Sequence, residues 1–149
     1  MGGKAIIPKG SPKPIAPYSP AMKAGNVVYV AGIVALDRDG KTVGVGDVAA
    51  QTRHVIETIA DILKEAGGSL ADITFNTIIL QDLADYAKMN EAYKAYFAKD
   101  PPARYCIGAK LVRDEFLVEI ASIAHLSEAK RRSHPLLTSR AGKPGKRAR

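Results

Sequence analysis

Pro102-Ala103-Arg104-Tyr105-Cys106-Ile107-Gly108, answered further on by Val118-Glu119-Ile120-Ala121, decides how this chain folds. Pro101 and Pro102 close a loop, and the run after them alternates in polarity, so a strand begins at Arg104. Side chains of a strand repeat every two residues. That period puts Arg104, Cys106, Gly108 and Lys110 on one face and Ala103, Tyr105, Ile107 and Leu111 on the other. A second apolar strand, Leu117 to His125, holds a single carboxylate, Glu119, between Val118 and Ile120. Read as neighbouring strands with a gap of small residues beside them, the two place an arginine and a glutamate where they hold an anionic ligand and a water.

Outward from that pair, the chain alternates between the two regular periods. Leu83, Tyr86, Met89, Tyr93 and Phe97 form the inner stripe of a helix predicted from Asp82 to about Phe97, with Asn90 at its border. Before it lies a strand, Ile73 to Leu80, and a turn at Ser69 to Asp72. Val48, Thr52, Val55, Ile56, Ile59, Ile62, Leu63 and Ala66 recur at spacings of three and four, while Gln51, Arg53, Glu57, Asp61, Lys64 and Glu65 take the other side. Asp47 suits the N-cap of that helix and Gly67-Gly68 its stop. Asp39-Gly40 between apolar segments reads as a two-residue hairpin turn with positive φ at both positions. Asn26 to Ile33 is a valine-rich strand. Pro8, Pro12, Pro14, Pro17 and Pro20 exclude a helix or central strand and lay their segment extended across the body, after a short first strand at Lys4 to Pro8.

The order βββ-α-β-α-ββ predicts an α+β sandwich of two layers, a six-stranded mixed sheet with two helices on one face. The far face of such a sheet still carries apolar side chains, which points to a second subunit covering it.

Size and charge bound the function. The 149 residues make one domain with a real core. No apolar run approaches the roughly 20 residues of a membrane helix, so a soluble cytoplasmic protein is expected. The net charge of +7 is unevenly spread. Residues 129–149 hold eight of the 22 basic residues and no acid, which leaves 14 basic against 15 acidic residues in 1–128. The folded part is therefore near neutral. After Ser127 periodicity is lost, so the domain is expected over 1–127 and a disordered basic tail over 128–149, read as a solvated extension rather than a nucleic-acid surface.

The residues that carry chemistry leave choices open. Arg104 is an anion anchor, since its fork matches a carboxylate, or it is half of a structural salt bridge with Glu119. A lone buried carboxylate costs several kcal/mol, so Glu119 is paired with Arg104 or kept for proton transfer. Cys106 shares the Arg104 face and reads as a core or pocket-lining residue before it reads as a reactive thiol. Tyr18, within the rigid Ala16-Pro17-Tyr18-Ser19-Pro20, reads as an anchor before a pocket residue. His54, His125 and His134 have no metal spacing, and a lone cysteine forms no intramolecular disulfide. No phosphate loop, dinucleotide fingerprint or nucleophile elbow appears, so no cofactor and no metal are expected.

Pro102-Ala103-Arg104-Tyr105-Cys106 followed by Val118-Glu119-Ile120-Ala121-Ser122-Ile123-Ala124 resembles the signature of the reactive-intermediate deaminase family, the Rid or YjgF group. The resemblance runs from about Lys4 to His125 and includes Ala16-Pro17-Tyr18, Tyr29-Val30-Ala31-Gly32 and Asn90-Glu91-Ala92-Tyr93. Gln51-Thr52-Arg53-His54-Val55-Ile56-Glu57-Thr58-Ile59 with Ala71-Asp72-Ile73-Thr74-Phe75-Asn76 resembles its RutC branch, which serves uracil breakdown. The resemblance implies a chorismate-mutase-like fold, a homotrimer with clefts between subunits, and hydrolysis of a small carboxylated enamine or imine without a cofactor. For the RutC branch the substrate is 3-aminoacrylate, giving malonic semialdehyde and ammonia. The family also implies two alternatives, a general 2-aminoacrylate (2-iminopropanoate) deaminase and an RNA-binding or translation-inhibiting protein. In its pattern Arg104 grips the substrate carboxylate, Glu119 positions or activates water, and the backbone of Cys106 helps hold the reacting group. Tyr18 and Asn90 match positions lining its pocket. Where the family often has Ser-Gly-Gln this chain has Ala31-Gly32-Ile33, so a hydroxyl and an amide are expected to be missing near the pocket.

Overall fold

The computed structural model describes residues 2–127. In chain order the elements are β1 (Lys4–Ile6), β2 (Ala21–Ala24), β3 (Val27–Ile33), α1 (Val48–Glu65), β4 (Ile73–Leu80), α2 (Tyr86–Phe97), β5 (Ala103–Gly108) and β6 (Val118–His125). The strands make one mixed sheet in the order β1-β2-β3-β6-β4-β5, antiparallel except for the parallel β4–β5 pair. Both helices cover one face, as the sequence predicts. The basic tail lies outside the described residues.

The core is the space between sheet and helices. α1 buries Val48, Thr52, Val55, Ile56, Ile59, Ile62 and Leu63, and the strands answer with Val28, Val30, Ile78, Leu80, Val118 and Ile120. Alternation along β6 is complete: Val118, Ile120, Ser122 and Ala124 are buried, and Glu119, Ala121 and Ile123 lie half-exposed on the other face. That open face also shows Tyr29, Tyr105 and Ile107 at about half exposure, with Phe75 and Tyr105 packed edge to face at 5.7 Å between ring centroids. The expected apolar far face is present.

Several local expectations give way. Gln51 is fully buried rather than on the polar side of α1. Its amide donates to the carbonyls of Glu115 (2.8 Å) and Gly44 (3.3 Å) and accepts from Leu117 N–H (2.8 Å), tying α1 to the entry of β6. A hydrophobicity stripe misses such a residue because its polar atoms are satisfied by backbone. The second strand is Ala21–Ala24, turned into β3 by Gly25-Asn26, with Gly25 at φ +59°. Asp39-Gly40 belongs to a longer turn. Only Gly40 there has positive φ, Asp37 accepts from the N–H of Asp39 and Lys41, and the flanking segments share a single bridge, Leu36–Thr42. Leu83 lies in a short 3₁₀ turn, Leu83–Asp85, before α2 and is exposed, as is Tyr86.

Replacing Gln51 with leucine takes the side-chain partner from the part-buried Leu117 N–H and Glu115 carbonyl and unties α1 from the entry of β6. An unpaired group costs about 1–3 kcal/mol when it is buried. Gln51→Leu is expected to lower Tm by roughly 5–15 °C, and a thermal melt unchanged from wild type would contradict this account of the residue.

Candidate active site

Arg104 lies on the edge strand β5, opposite Asn76 of β4 and on the helix-covered face. Four residues of α2 spaced three and four apart, Tyr86, Met89, Asn90 and Tyr93, line up along it, the spacing that puts side chains on one helical face. The guanidinium sits over the Tyr93 ring at 4.6 Å and the Tyr86 ring at 5.9 Å from the centroids. One Nη donates to Asn90 Oδ1, and the other lies 3.9 Å from Met89 Sδ. Tyr93 is itself fixed from below: Asn76 Nδ2 donates to its hydroxyl (2.9 Å), and Ser122 Oγ donates to Asn76 Oδ1 (2.6 Å). Asn76 and Ser122 are both buried. Burial pushes the Tyr93 phenol's pKa up, against smaller lowering by the Asn76 hydrogen bond and the Arg104 charge. A guanidinium has five N–H donors, so this cradle leaves donors for an anion.

The backbone of β5 adds to this half of the site. Ala109 N–H donates to Leu80 O (3.0 Å), and alternate residues of a parallel edge strand turn their polar groups toward the one neighbour. Tyr105 and Ile107 therefore face β4, while the N–H and C=O of Arg104 and Cys106 point off the sheet edge. The Cys106 side chain is half-buried against the core, as expected for a lining residue. Burial raises its thiol pKa, with Arg104 opposing.

Glu119 stands elsewhere. It faces the open side of the sheet, across from Ile79 of β4, at the end of a cleft of about 290 Å³ whose walls include Ile15, Tyr18, Ala31, Gly32 and Val112. Burial among these apolar groups raises its carboxyl pKa, and no cation contributes. The expected Arg104–Glu119 pair is thus not formed within the chain. β4 lies between β5 and β6, so the two are two strand spacings apart, about 10 Å, and on opposite faces.

The structure gathers the predicted residues into two half-sites: Arg104, Asn90 and the Cys106 edge in one, Glu119 and Tyr18 in the other. Tyr18 is 44% exposed and lines the Glu119 cleft. Ala31 lines that cleft, but Ile33 pairs with Ile120 on the covered face and is 9% exposed, so position 33 contributes no side chain to the carboxylate's surroundings. Sequence reasoning missed the Ser122–Asn76–Tyr93 chain beneath Arg104. Its one signal was a polar Asn76 at a buried parity position of an apolar strand.

The family described as Endoribonuclease L-PSP matches residues 8–126. This chain belongs to that family, the reactive-intermediate deaminase or YjgF group. The chain is 56% identical, over 85% of its length and all of the relative's, to a 3-aminoacrylate deaminase RutC of Acinetobacter baylyi. Among solved structures it is similar to YEO7 of yeast (29% identity, TM-score 0.78, covering 84% of this chain and 99% of that one). It is likewise similar to E. coli TdcF with bound serine (30%, TM-score 0.76, 83% and 99%).

In this Rid-family chain the raised pKa of Glu119 has a stability consequence with a definite sign. The folded state holds the carboxyl's proton more tightly than the unfolded chain does, so ionising it as pH rises through the raised value weakens the fold. Glu119→Gln removes that ionisation. Its Tm at neutral pH is expected to equal or exceed that of wild type, with the advantage vanishing in acid; a lower Tm at pH 7 would mean that the carboxylate is stabilised by a partner.

Proposed function

We propose that this protein hydrolyses 3-aminoacrylate to malonic semialdehyde and ammonia, in pyrimidine breakdown, with no cofactor. The observation that carries the reading is the pair of complementary half-sites, a cradled guanidinium with free donors and a carboxyl of raised pKa in an apolar cleft. The 56% identity to a deaminase of that substrate supports it.

The chemistry follows from those groups. Arg104 takes the substrate carboxylate, held flat by Tyr93 and Asn90, and the outward N–H of Cys106 lies beside it for the reacting end. The enamine becomes its imine tautomer when C2 gains a proton from solvent and the nitrogen loses one to it. Glu119 takes a proton from water as the oxygen bonds to the imine carbon, and the nitrogen takes one from solvent to give the carbinolamine. The carbinolamine then collapses: the C–N bond breaks, the proton held by Glu119 passes to the leaving nitrogen to give ammonia, and the hydroxyl proton returns to solvent as the aldehyde forms. Tyr18 borders this space with its hydroxyl. A carboxyl whose pKa burial raises holds a transferred proton more readily than an exposed glutamate, and general acid and base help of this kind is worth about 10²- to 10⁴-fold. Enamines of this class also hydrolyse unaided, so no strong nucleophile is needed.

The reading requires a second copy of the chain, because a three-carbon substrate cannot bridge two faces of one sheet. A contact that brings one copy's Arg104 half to another's Glu119 half forms in a two-fold dimer or in a closed ring. Of these the family resemblance implies the ring of three, and we take the active form to be a homotrimer with its sites between subunits. The apolar open face, with Tyr29, Tyr105 and Ile107 exposed, is the surface such a contact would bury. A cytoplasmic location fits a substrate generated by catabolism, and no helix among the described residues is long and apolar enough to cross a membrane.

Ammonia release from 3-aminoacrylate and from 2-aminoacrylate, each generated in situ, tests the activity. The 3-isomer is expected to decay faster with the protein present, and Arg104→Ala to lose that acceleration by at least about 10²-fold while melting normally. A preference for the 2-isomer would make this a general protective deaminase, and an unimpaired Arg104→Ala would remove the carboxylate grip.

Co-expression of Arg104→Ala with Glu119→Gln tests the shared site. Each variant alone is expected to be inactive, and random mixing to restore about a quarter of wild-type activity, since one site in four then draws both intact residues. Mixed assemblies with no recovery would place the whole site within one chain.

A further inference from the structure

The β3–β6 ladder breaks its register beside Glu119. From Val27 opposite His125 to Val30 opposite Ser122 the pairing runs one for one, and it resumes with Ile33 opposite Ile120. Ala31 and Gly32 together therefore face the single residue Ala121. That is a β-bulge, which shifts the parity of everything after it. Without it Gly32 would oppose Ile120, and Ile33 would stand on the open face opposite Glu119. With it, Ile33 turns into the core and a glycine comes to the carboxylate.

The missing side chain at position 32 gives the Glu119 carboxylate its present place. A Cβ on Gly32 would overlap Glu119 Oε1 and lie 2.9 Å from its Cδ and 3.2 Å from its Cγ. All three of the nearest atoms belong to the one side chain. The backbone of Gly32 has no positive φ, unlike six other glycines among the described residues, so conformational freedom does not explain it. Its space is already occupied by the glutamate.

We propose that Gly32, delivered by the bulge, is a positioning residue whose missing side chain is the seat of the Glu119 carboxylate. The inference rests on Glu119 as the acid and base of the reaction proposed above. The bulge keeps the carboxylate against the sheet at the inner end of the cleft. Any side chain at position 32 swings it outward, away from the water it must deprotonate. Around the seat stand Ile79 from β4, Ala31 from β3, and Tyr18 and Val112 from the loops; Tyr18 is the other titratable side chain lining the cleft. Burial in this seat accounts for the raised pKa of Glu119.

Gly32→Ala tests the proposal, with kinetics on 3-aminoacrylate and ¹³C-NMR titration of the Glu119 carboxyl, assigned by its loss in Glu119→Gln. The expected result is kcat reduced roughly 10- to 100-fold, KM changed by less than about threefold because Arg104 is untouched, and the carboxyl midpoint moved down toward the ordinary glutamate range. Wild-type kcat with an unmoved midpoint would overturn it. If wild type accelerates neither aminoacrylate, the proposed function falls, while the titration still decides where the carboxylate sits. Should Gly32→Ala fail to fold, the same change in a Glu119→Ala background settles the matter. With the carboxylate gone it is expected to melt with Glu119→Ala, and a double variant that also fails assigns Gly32 to packing and overturns the proposal.

Discussion

A pleated strand sends successive side chains to opposite faces, and in this sheet that parity keeps the arginine and the carboxylate apart. Arg104 and Ser122 share the covered face, while Glu119 and Tyr105 share the open one. Because no cation of the described residues reaches Glu119, its charge is penalised by burial alone, and its proton is held more tightly than an exposed glutamate's. A paired carboxylate would have the opposite tendency and would make a poor base near neutral pH. Within one chain each group thus keeps its own electrostatics, and the two meet only in the assembly proposed above.

The two halves are held by different means. Arg104 is fixed by a polar and aromatic stack that passes from Ser122 through Asn76 and Tyr93, crossing from β6 and β4 to α2. Every donor in that line points toward the Tyr93 oxygen, and the cation rests on the ring's electron-rich face, a contact worth about 0.5–2 kcal/mol depending on desolvation. The guanidinium is thereby oriented without a carboxylate that would compete with an anionic ligand. Glu119 is held by shape instead, between the bulge of β3 and the loop that carries Tyr18. One half is a rigid electrostatic anchor, and the other a small apolar recess with an acid at its base.

How far the chain could be read without coordinates differs from element to element. α1 was legible from its stripe and its Asp47 cap, and Ile73–Leu80 from its polarity, because local periodicity and capping are properties of neighbouring residues. The prolines before β2 hide it, and its Gly25-Asn26 turn is a weaker hairpin signal than Asp39-Gly40, which closes a longer loop. Gln51 escaped since a buried amide looks polar in sequence until its backbone partners are known. Arg104 and Glu119 stand out in the sequence as residues of neighbouring strands, whereas Tyr18 and Asn90 gain a pocket role there only from the family resemblance.

The sequence by itself determined the layer architecture, the two helices on one face and the apolar open face, and it marked Arg104 and Glu119 as the residues to explain. These follow from period, charge and composition, which act over a few residues. Only the tertiary structure decided that β4 separates β5 from β6, that Arg104 rests on Tyr93, and that Ile33 turns inward while Gly32 meets the carboxylate. Strand order and register are set by packing between segments far apart in the chain, and a single extra residue in β3 reverses which side chain faces the site.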